Sequence, residues 1–310
     1  MMRFTRWIDD EELEWLLEPQ KVREQLAKNI DRELADDPIR IVRSDPLGST
    51  IVMEAKWANA SYSVVKVLFE RGANNQHIPP RPTLNGSIGL YDHTGEIVAM
   101  ASGAVFTGIR TAAIAALSTE WLAVSRARQS IIGSGFQAYY HAWALAAVPG
   151  VEEIRIWSRS PDHVRRLTAR LSMLPVFNHI QLIPMDSLEQ TIRNADGVTL
   201  VTTSSEPILW EDMLPPTVLI NAMGAYLPES RELASNVVES ARLFADYLPA
   251  CLKEAGDYLI PISEGVVEPQ SIRPLAAGRV DGPAPGRTIM KSVGSAVFDL
   301  SVAALLTTRR

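Results

Sequence analysis

One cysteine, Cys251, stands in 310 residues. It can form no internal disulfide and no thiolate cluster for a metal, and a buried thiol is its expected role. Other absences narrow the field. No H-x-x-x-H, C-x-x-C or carboxylate cluster is spaced for a metal, and no G-x-S-x-G offers a hydrolase nucleophile. No stretch of about 18 uncharged apolar residues occurs, so no membrane span is expected. The opening MMRFTRWIDDEELEWLL has neither a long apolar centre nor a small-residue cleavage site. That argues against a signal peptide and makes the cytoplasm the default compartment. Basic blocks are missing too. With a formal net charge of −6 and an isoelectric point of about 5.5, nucleic acid is not an expected partner.

What is present reads as a folded chain with a substantial core. Hydrophobic residues make up 46% and charged residues 21%, as in one large or two ordinary domains. Asp9 can cap a helix beginning EELEWLL, with Glu12 completing a capping box. KVREQLAKNIDRELA predicts a second, charged amphipathic helix. IRIVR, STIVMEA and YSVVKVLFE read as strands, RGANNQHIPPRP as a polar loop outside either regular element, and SIGLYDHTGEIVAMAS as a hairpin turning at His93–Gly95. The N-terminal third is thus expected to be strand-rich and largely antiparallel.

The pattern changes at Thr107, where TGIRTAAIAALSTEWLAV predicts an alanine-rich helix. Strands then alternate with helices: QSIIGS, EIRIWS, HIQLIPM, GVTLVTT, TVLINAM and RLFADY, with helices at about Ala138–Ala147, Pro161–Leu174 and Ser187–Ala195. Such alternation predicts an α/β fold with a doubly wound parallel sheet of the Rossmann type. From Gly265 proline and glycine become frequent, and IMKSVGSAVFDLSVAALL closes the chain as a strand and then a helix.

Gly133-Ser-Gly135-Phe-Gln-Ala138 fits G-x-G-x-x-G/A, with a strand before it, a helix after it and a second strand beyond. The first glycine permits a tight turn, the second lets backbone approach a pyrophosphate, and the third small residue lets helix and strand pack closely. Amides at the helix start then face the anion. The end of the second strand reads Trp157-Ser158-Arg159-Ser160. No carboxylate is there to accept from a ribose 2′-hydroxyl, and one guanidinium stands between two hydroxyls. NADP(H) is therefore the preferred cofactor, with NAD(H) possible. The TTSSEP segment, Thr202 to Pro207, follows a sheet strand and is expected to border the nicotinamide or its ribose, with Thr202, Thr203 and Ser204 as its cofactor-binding residues.

The turn and its surroundings resemble the ornithine cyclodeaminase/mu-crystallin family. The resemblance runs through Arg40 in PIRIVR, Lys66 in VVKVL, Asn74 or Asn75 in the polar loop, GLYDHTGEIVAM, TGIRTAAIAALS, GSGFQA, VTTSSEPIL, INAMGAYLPESREL and KSVGSAVFDL. It implies two domains. Residues 1–112 with 286–310 would form a discontinuous α+β domain for substrate binding and dimerisation, and 113–285 the Rossmann domain. It also implies an amino or imino acid bound against the nicotinamide, with its carboxylate held by Arg40, Lys66 and Arg110. Arg offers such a carboxylate a planar two-pronged donor. Arg43 lies close enough to Arg40 to leave that register open. On the same resemblance Thr107, Phe136, Gln137, Met223, Gly224, Ser292, Val293 and Gly294 join Gly133, Gly135, Ser158, Arg159, Ser160, Thr202, Thr203 and Ser204 as cofactor-binding residues. Lys66, crowded by guanidiniums, should have a lowered pKa and can anchor the substrate or move a proton.

One departure bears on the reaction. Where cyclodeaminases carry an aspartate in the segment matching INAMGAYLPESREL, this chain has Tyr226. A phenol is a poor general base at neutral pH but can donate a hydrogen bond. Tyr226 and Lys66 are thus the candidate catalytic residues. The expected activity is hydride transfer between nicotinamide and an α-imino or α-amino acid, by a ketimine or cyclic imine reductase or an amino-acid or opine-type dehydrogenase working as a homodimer. The alternatives are an ammonia-eliminating cyclodeaminase and a non-catalytic binder of NADPH and a small ligand. Glu229 and Glu232 lie near Tyr226, and Glu232 is expected to brace the loop. His141 is expected to pack on a helix face, His77 to belong to the polar loop and His93 to a hairpin turn.

Overall fold

The computed structural model describes residues 6–32, 36–59, 61–77 and 81–307. They form two compact units, residues 1–110 with 295–310, and residues 111–294. The chain opens with β1 (Arg6–Ile8), α1 (Asp10–Leu16) and α2 (Pro19–Asn29), followed by β2 (Ile39–Asp45), β3 (Gly48–Lys56), β4 (Tyr62–Glu70), β5 (Leu84–Asp92) and β6 (Ile97–Ser102). Then come α3 (Gly103–Leu122), β7 (Arg128–Ile132), α4 (Phe136–Ala146), β8 (Glu153–Trp157), α5 (Pro161–Leu171), β9 (Gln181–Pro184), α6 (Leu188–Ile192), β10 (Gly197–Leu200) and β11 (Val218–Ala222). The last elements are α7 (Ser235–Glu239), β12 (Ala241–Ala245), α8 (Leu248–Glu254), α9 (Gly256–Ser263), β13 (Ile272–Pro274), α10 (Gly278–Asp281), β14 (Arg287–Lys291) and α11 (Ala296–Ala303).

In the first unit six strands form one sheet in the order β1-β6-β5-β4-β3-β2. All its pairs are antiparallel except β1 with β6. Burial alternates along β3 and β4, the mark of a sheet with one face covered. Ile51, Met53, Ala55, Val64, Lys66 and Leu68 point to the buried face, and α11 packs on β3, β4 and α2. Asp9 caps α1 by accepting from the Glu12 amide at 2.8 Å.

Three sequence expectations shift. The second helix ends at Asn29, where the Asn29 side chain donates to Gln25 O at 2.9 Å and the Arg32 amide turns back onto Asn29 O. The last expected residues, Glu33–Ala35, lie outside the described residues. The polar loop holds a short 3₁₀ helix, Gly72–Gln76, and its residues 78–80 also lie outside. Finally, α3 starts at Gly103, one turn before Thr107. A Cβ at Gly103 would stand 2.9 Å from the Ser87 amide nitrogen, so glycine allows the helix start to press on β5. Arg110 therefore sits about two turns inside α3 rather than at its start.

The second unit is one eight-stranded sheet, all parallel, in the order β13-β12-β14-β11-β10-β7-β8-β9. From β7 the chain winds outward through β8 and β9, then returns to β10 on the other side of β7. This reversal is where a doubly wound sheet opens a crevice. The sequence boundary at 286 falls just before β14, which pairs with both β11 and β12, and the compact unit continues to Gly294. No helix among the described residues is long and apolar enough to cross a membrane.

Candidate active site

At the reversal point the chain leaves β7 through Gly133-Ser134-Gly135 and enters α4. Gly133 has φ +127°, and a Cβ there would lie 2.6 Å from Val201 O, so a side chain is excluded by both strain and contact. Gly135 is the cap residue of α4 with no side-chain cap bond, and no atom lies within 4 Å of where its Cβ would stand. The first amides of α4 therefore face open space, as a bound diphosphate requires. Ala138, fully buried one turn on, fills the third small position.

A cavity of about 420 Å³ opens there, lined by Ile132, Gly133, Ser134 and Gly135; by Trp157, Ser158, Arg159, Ser160 and His163; and by Val201, Thr202, Thr203, Ser204 and Ile208. The Ser134 and Ser158 hydroxyls meet at 2.7 Å, joining the glycine turn to the end of β8. Ser160 caps α5 by accepting from the His163 amide. Arg159 is exposed on the rim. Helix-start amides, hydroxyls, an apolar wall from Trp157 and Ile208, and an open glycine together fit a dinucleotide.

Behind the cavity a buried carboxylate ties two loops together. Glu232 Oε1 accepts from the Thr202 amide at 3.1 Å and the Thr202 hydroxyl at 2.7 Å. Its Oε2 accepts from the amides of Gly224 at 2.8 Å and Ala225 at 3.2 Å. This is the bracing expected of Glu232. Asp257 Oδ1 accepts from the Glu232 and Leu233 amides, and its Oδ2 pairs with Lys291 Nζ at 2.8 Å. Burial pulls the Lys291 ammonium down, but Asp257 and Glu232 outweigh it and hold its pKa above the ordinary lysine value. A second carboxylate, Asp246, accepts from the Ser292 hydroxyl at 2.6 Å and the Gly294 amide at 3.0 Å. It thereby fixes the turn Ser292-Val293-Gly294, in which Gly294 has φ +83°.

In the first unit, strand register assembles a different cluster. Arg40 on β2 stands opposite Met53 on β3, and Met53 opposite Lys66 on β4, so all three lie in one row on one face. Arg40 Nη1 reaches Met53 Sδ at 3.5 Å. Arg43 falls on the other face, exposed, so of the two arginines only Arg40 shares a face with Lys66. Asp299, on α11, pairs through Oδ2 with Lys66 Nζ at 2.6 Å and through Oδ1 with Arg110 Nε at 2.7 Å. Lys66 and Asp299 are fully buried and Arg110 nearly so. Arg110 Nη1 is buried and has no hydrogen-bond partner among the described residues. Burial, then the Arg110 charge and to a lesser extent Arg40, lowers the Lys66 pKa to about 7 against the opposing pull of Asp299. Asp299 stays below its usual value despite burial, because Arg110 and Lys66 favour its charge.

Of the residues singled out in the sequence, the structure thus gathers Arg40, Lys66 and Arg110 in one unit. In the other it gathers Gly133, Gly135, Ser158, Arg159, Ser160, Thr202, Thr203 and Ser204. Phe136, exposed and edge-on to Tyr140 at 5.1 Å, and Gln137, whose Oε1 is buried without a partner, form the first turn of α4 beside the cavity lining. Met223 is buried and Gly224 bonds to Glu232. Thr107 is buried in α3, and its hydroxyl has no hydrogen-bond partner among the described residues. Tyr226 is half-buried against the core of the second unit. His141 packs inside α4, donating from Nδ1 to Gln137 O at 2.8 Å. Burial lowers its pKa to about 4, so it is neutral. His77 and His93 are exposed, and Cys251 is buried and free. Asp299, Asp246, Asp257, Lys291 and His163 carry no assignment in the sequence. Only Asp299 and Lys291 leave a signal there, as single charges in otherwise apolar runs.

A family model described as the ornithine cyclodeaminase/mu-crystallin family matches residues 11–309. The ketimine reductase mu-crystallin of Rattus norvegicus is 30% identical over 242 residues, 77% of this chain and 73% of that protein. A Delta(1)-pyrroline-2-carboxylate reductase of Bacillus cereus (strain ATCC 10987 / NRS 248) is 32% identical over 235 residues, covering 73% and 71%. Among solved structures, the Delta(1)-pyrroline-2-carboxylate reductase of Thermococcus litoralis, in complex with NADH and L-proline, superposes with a TM-score of 0.88 at 25% identity. That match covers 98% of this chain and 96% of the other.

Proposed function

The chain belongs to the ornithine cyclodeaminase/mu-crystallin family, and from that premise we infer that it is an NAD(P)-dependent oxidoreductase acting on the C=N bond of α-imino acids. Its relatives include a ketimine reductase and a pyrroline-2-carboxylate reductase. The observation that supports the reading most is the buried cluster of Lys66 and Arg110, which share one carboxylate, Asp299, while Arg110 Nη1 has no partner among the described residues. Two buried basic groups thus share one carboxylate, and the Arg40 charge also acts on Lys66. A small anion with a carboxyl group would balance that excess, since a buried unpaired cation is costly.

The glycine turn and the α4 amides would hold the dinucleotide, whose chemistry when bound would be hydride transfer to an imine carbon. The chain's own groups do the rest. Arg110 and Arg40 bind the substrate carboxylate and set the orientation of the C=N bond. Lys66, with a pKa of about 7, is close to half protonated at neutral pH. It can hold the carboxylate as an ammonium and give a proton to the imine nitrogen. Tyr226 is assigned as a hydrogen-bond donor. The absence of a general base at that position favours a reaction that stops at hydride transfer over one that eliminates ammonia.

Arg159, beside Ser158 and Ser160 and with no carboxylate among them, supports a preference for NADP(H). Homodimerisation is supported by the outer face of the six-stranded sheet, where Trp7, Ile39, Ile41 and Phe69 are exposed and would be costly to leave in water. A monomer mass by light scattering would refute it. The direct test is NADPH and NADH oxidation with a panel of cyclic imines and keto-acid/amine pairs at neutral pH. Turnover of a cyclic imine, faster with NADPH, is expected. A protein that binds NADPH and reduces none of them is a binder, and the reductase reading fails.

A further inference from the structure

Asp299 is placed unlike any other carboxylate near the Lys66 cluster. It sits on α11, where it is the one charged residue, and each of its oxygens meets a different cation: Oδ1 meets Arg110 Nε and Oδ2 meets Lys66 Nζ. The Nε contact is side-on and leaves Arg110 Nη1 buried and unpartnered. Full burial of Asp299 and Lys66 makes this a high-stakes arrangement, because neither charge can be screened by water. The groups facing Lys66 come from three other elements: Arg110 on α3, Asp299 on α11 and Arg40 on β2. Its strand neighbours in register, Met53 and Ile88, are apolar. Asp299 is therefore the one negative charge acting on Lys66 among the described residues.

We propose that Asp299 is the positioning residue of the site: it turns the free end of Arg110 toward the substrate carboxylate and keeps Lys66 charged enough to serve as anchor and acid. The proposal rests on the imine-reductase reading and deepens it. Without the Asp299 charge, the two forces depressing the Lys66 pKa, burial and Arg110, act unopposed. The protonated form would then be lost at lower pH, and Arg110 would be free to swing.

The experiment compares wild type, Asp299→Asn and Asp299→Glu as full-length protein, with NADPH and a cyclic imine, pyrroline-2-carboxylate, across pH 5–9. NADPH fluorescence titration checks that each variant is folded. For wild type, kcat/KM falls as pH rises through about 7, the value set at Lys66. For Asp299→Asn, that descending limb should move to lower pH by about 1–3 units, the usual effect of an adjacent opposite charge, with KM for the imine raised about tenfold or more and NADPH binding unchanged. Asp299→Glu restores the charge at a different reach, so the limb should return while kcat stays depressed. An Asp299→Asn enzyme with the wild-type pH profile overturns the proposal, as does an Asp299→Glu enzyme shifted as far as Asp299→Asn. Should Asp299→Asn fail to bind NADPH, Asp299→Glu is decisive alone: a displaced limb or a full wild-type kcat overturns it. If wild type itself reduces no imine, the functional reading fails instead, a result distinguishable from all of these.

Discussion

Alanine at Gly133 and alanine at Gly135 should damage the protein at different levels. At Gly133 the backbone sits at φ +127°, and a Cβ would come within 2.6 Å of Val201 O. The strained dihedral costs about 1–3 kcal/mol and the forced displacement about 1–3 kcal/mol more. Together that is a large part of the roughly 5–15 kcal/mol that holds a domain folded. At Gly135 φ is −86° and the Cβ would meet nothing within 4 Å. There the reduced chain entropy of alanine gains about 0.4–1 kcal/mol, and the loss of a good cap residue offsets it, so stability should stay within about 1 kcal/mol of wild type. The same methyl occupies the space in front of the α4 amides that a diphosphate needs, and NADPH affinity should fall at least tenfold, about 1.4 kcal/mol. Urea denaturation read by tryptophan fluorescence gives the first quantity, and NADPH fluorescence titration the second. A Gly135→Ala protein that binds NADPH within twofold of wild type, or unfolds more easily than Gly133→Ala, would refute the assignment of the turn.

Three further outcomes are expected. Lys66→Met should lower kcat/KM about 10²–10⁴-fold and erase the fall in kcat/KM above pH 7, because the active form of Lys66 is the protonated one and it is lost as pH rises through about 7; a variant that keeps this limb sinks the assignment. Arg159→Ala should weaken NADPH about tenfold or more, the worth of a charged hydrogen bond, and leave NADH unchanged; an equal loss for both cofactors would contradict it. Glu232→Gln should cost more than about 2 kcal/mol in urea denaturation, since both carboxylate oxygens accept from donors and an amide would set N–H against N–H; a loss below about 1 kcal/mol would show that the brace is slack.

The elements that depend on local periodicity were legible in the sequence. β2–β6 and β7–β12 lie where alternating or apolar runs between turn residues put them, and the glycine turn follows from the backbone shape it must adopt. The start of α3 was hidden because Gly103, a poor helix former, reads as the end of a strand when its close approach to Ser87 is unknown. The two arginines of β2 could not be told apart by sequence alone. A single register, Arg40 opposite Met53 opposite Lys66, puts one on the face of Lys66 and the other on the far face. Asp299 was illegible as a partner because it meets Arg110 across 189 positions of chain. Its one sequence trace is a carboxylate in an apolar helix, a pattern that calls for a buried counter-ion without naming it.

The order β12-β14-β11 has a consequence for how the chain is made. β14 is the last strand of the second unit and lies in the interior of its sheet, between two strands synthesised earlier. The helix that follows, α11, packs on β3 and β4 of the first unit and delivers Asp299 to Lys66. On a ribosome, neither unit can close until residues near 300 have emerged. Until then β11 and β12 wait as unpaired edges and the buried face of the N-terminal sheet stands uncovered. Long-range closure of this kind slows folding and prolongs the exposure of sticky surface. A nascent chain released at Gly286 would therefore lack both a finished sheet and the counter-charge of Lys66. Its vulnerability would be one of timing: a window for aggregation, kept open until β14 and α11 have both emerged.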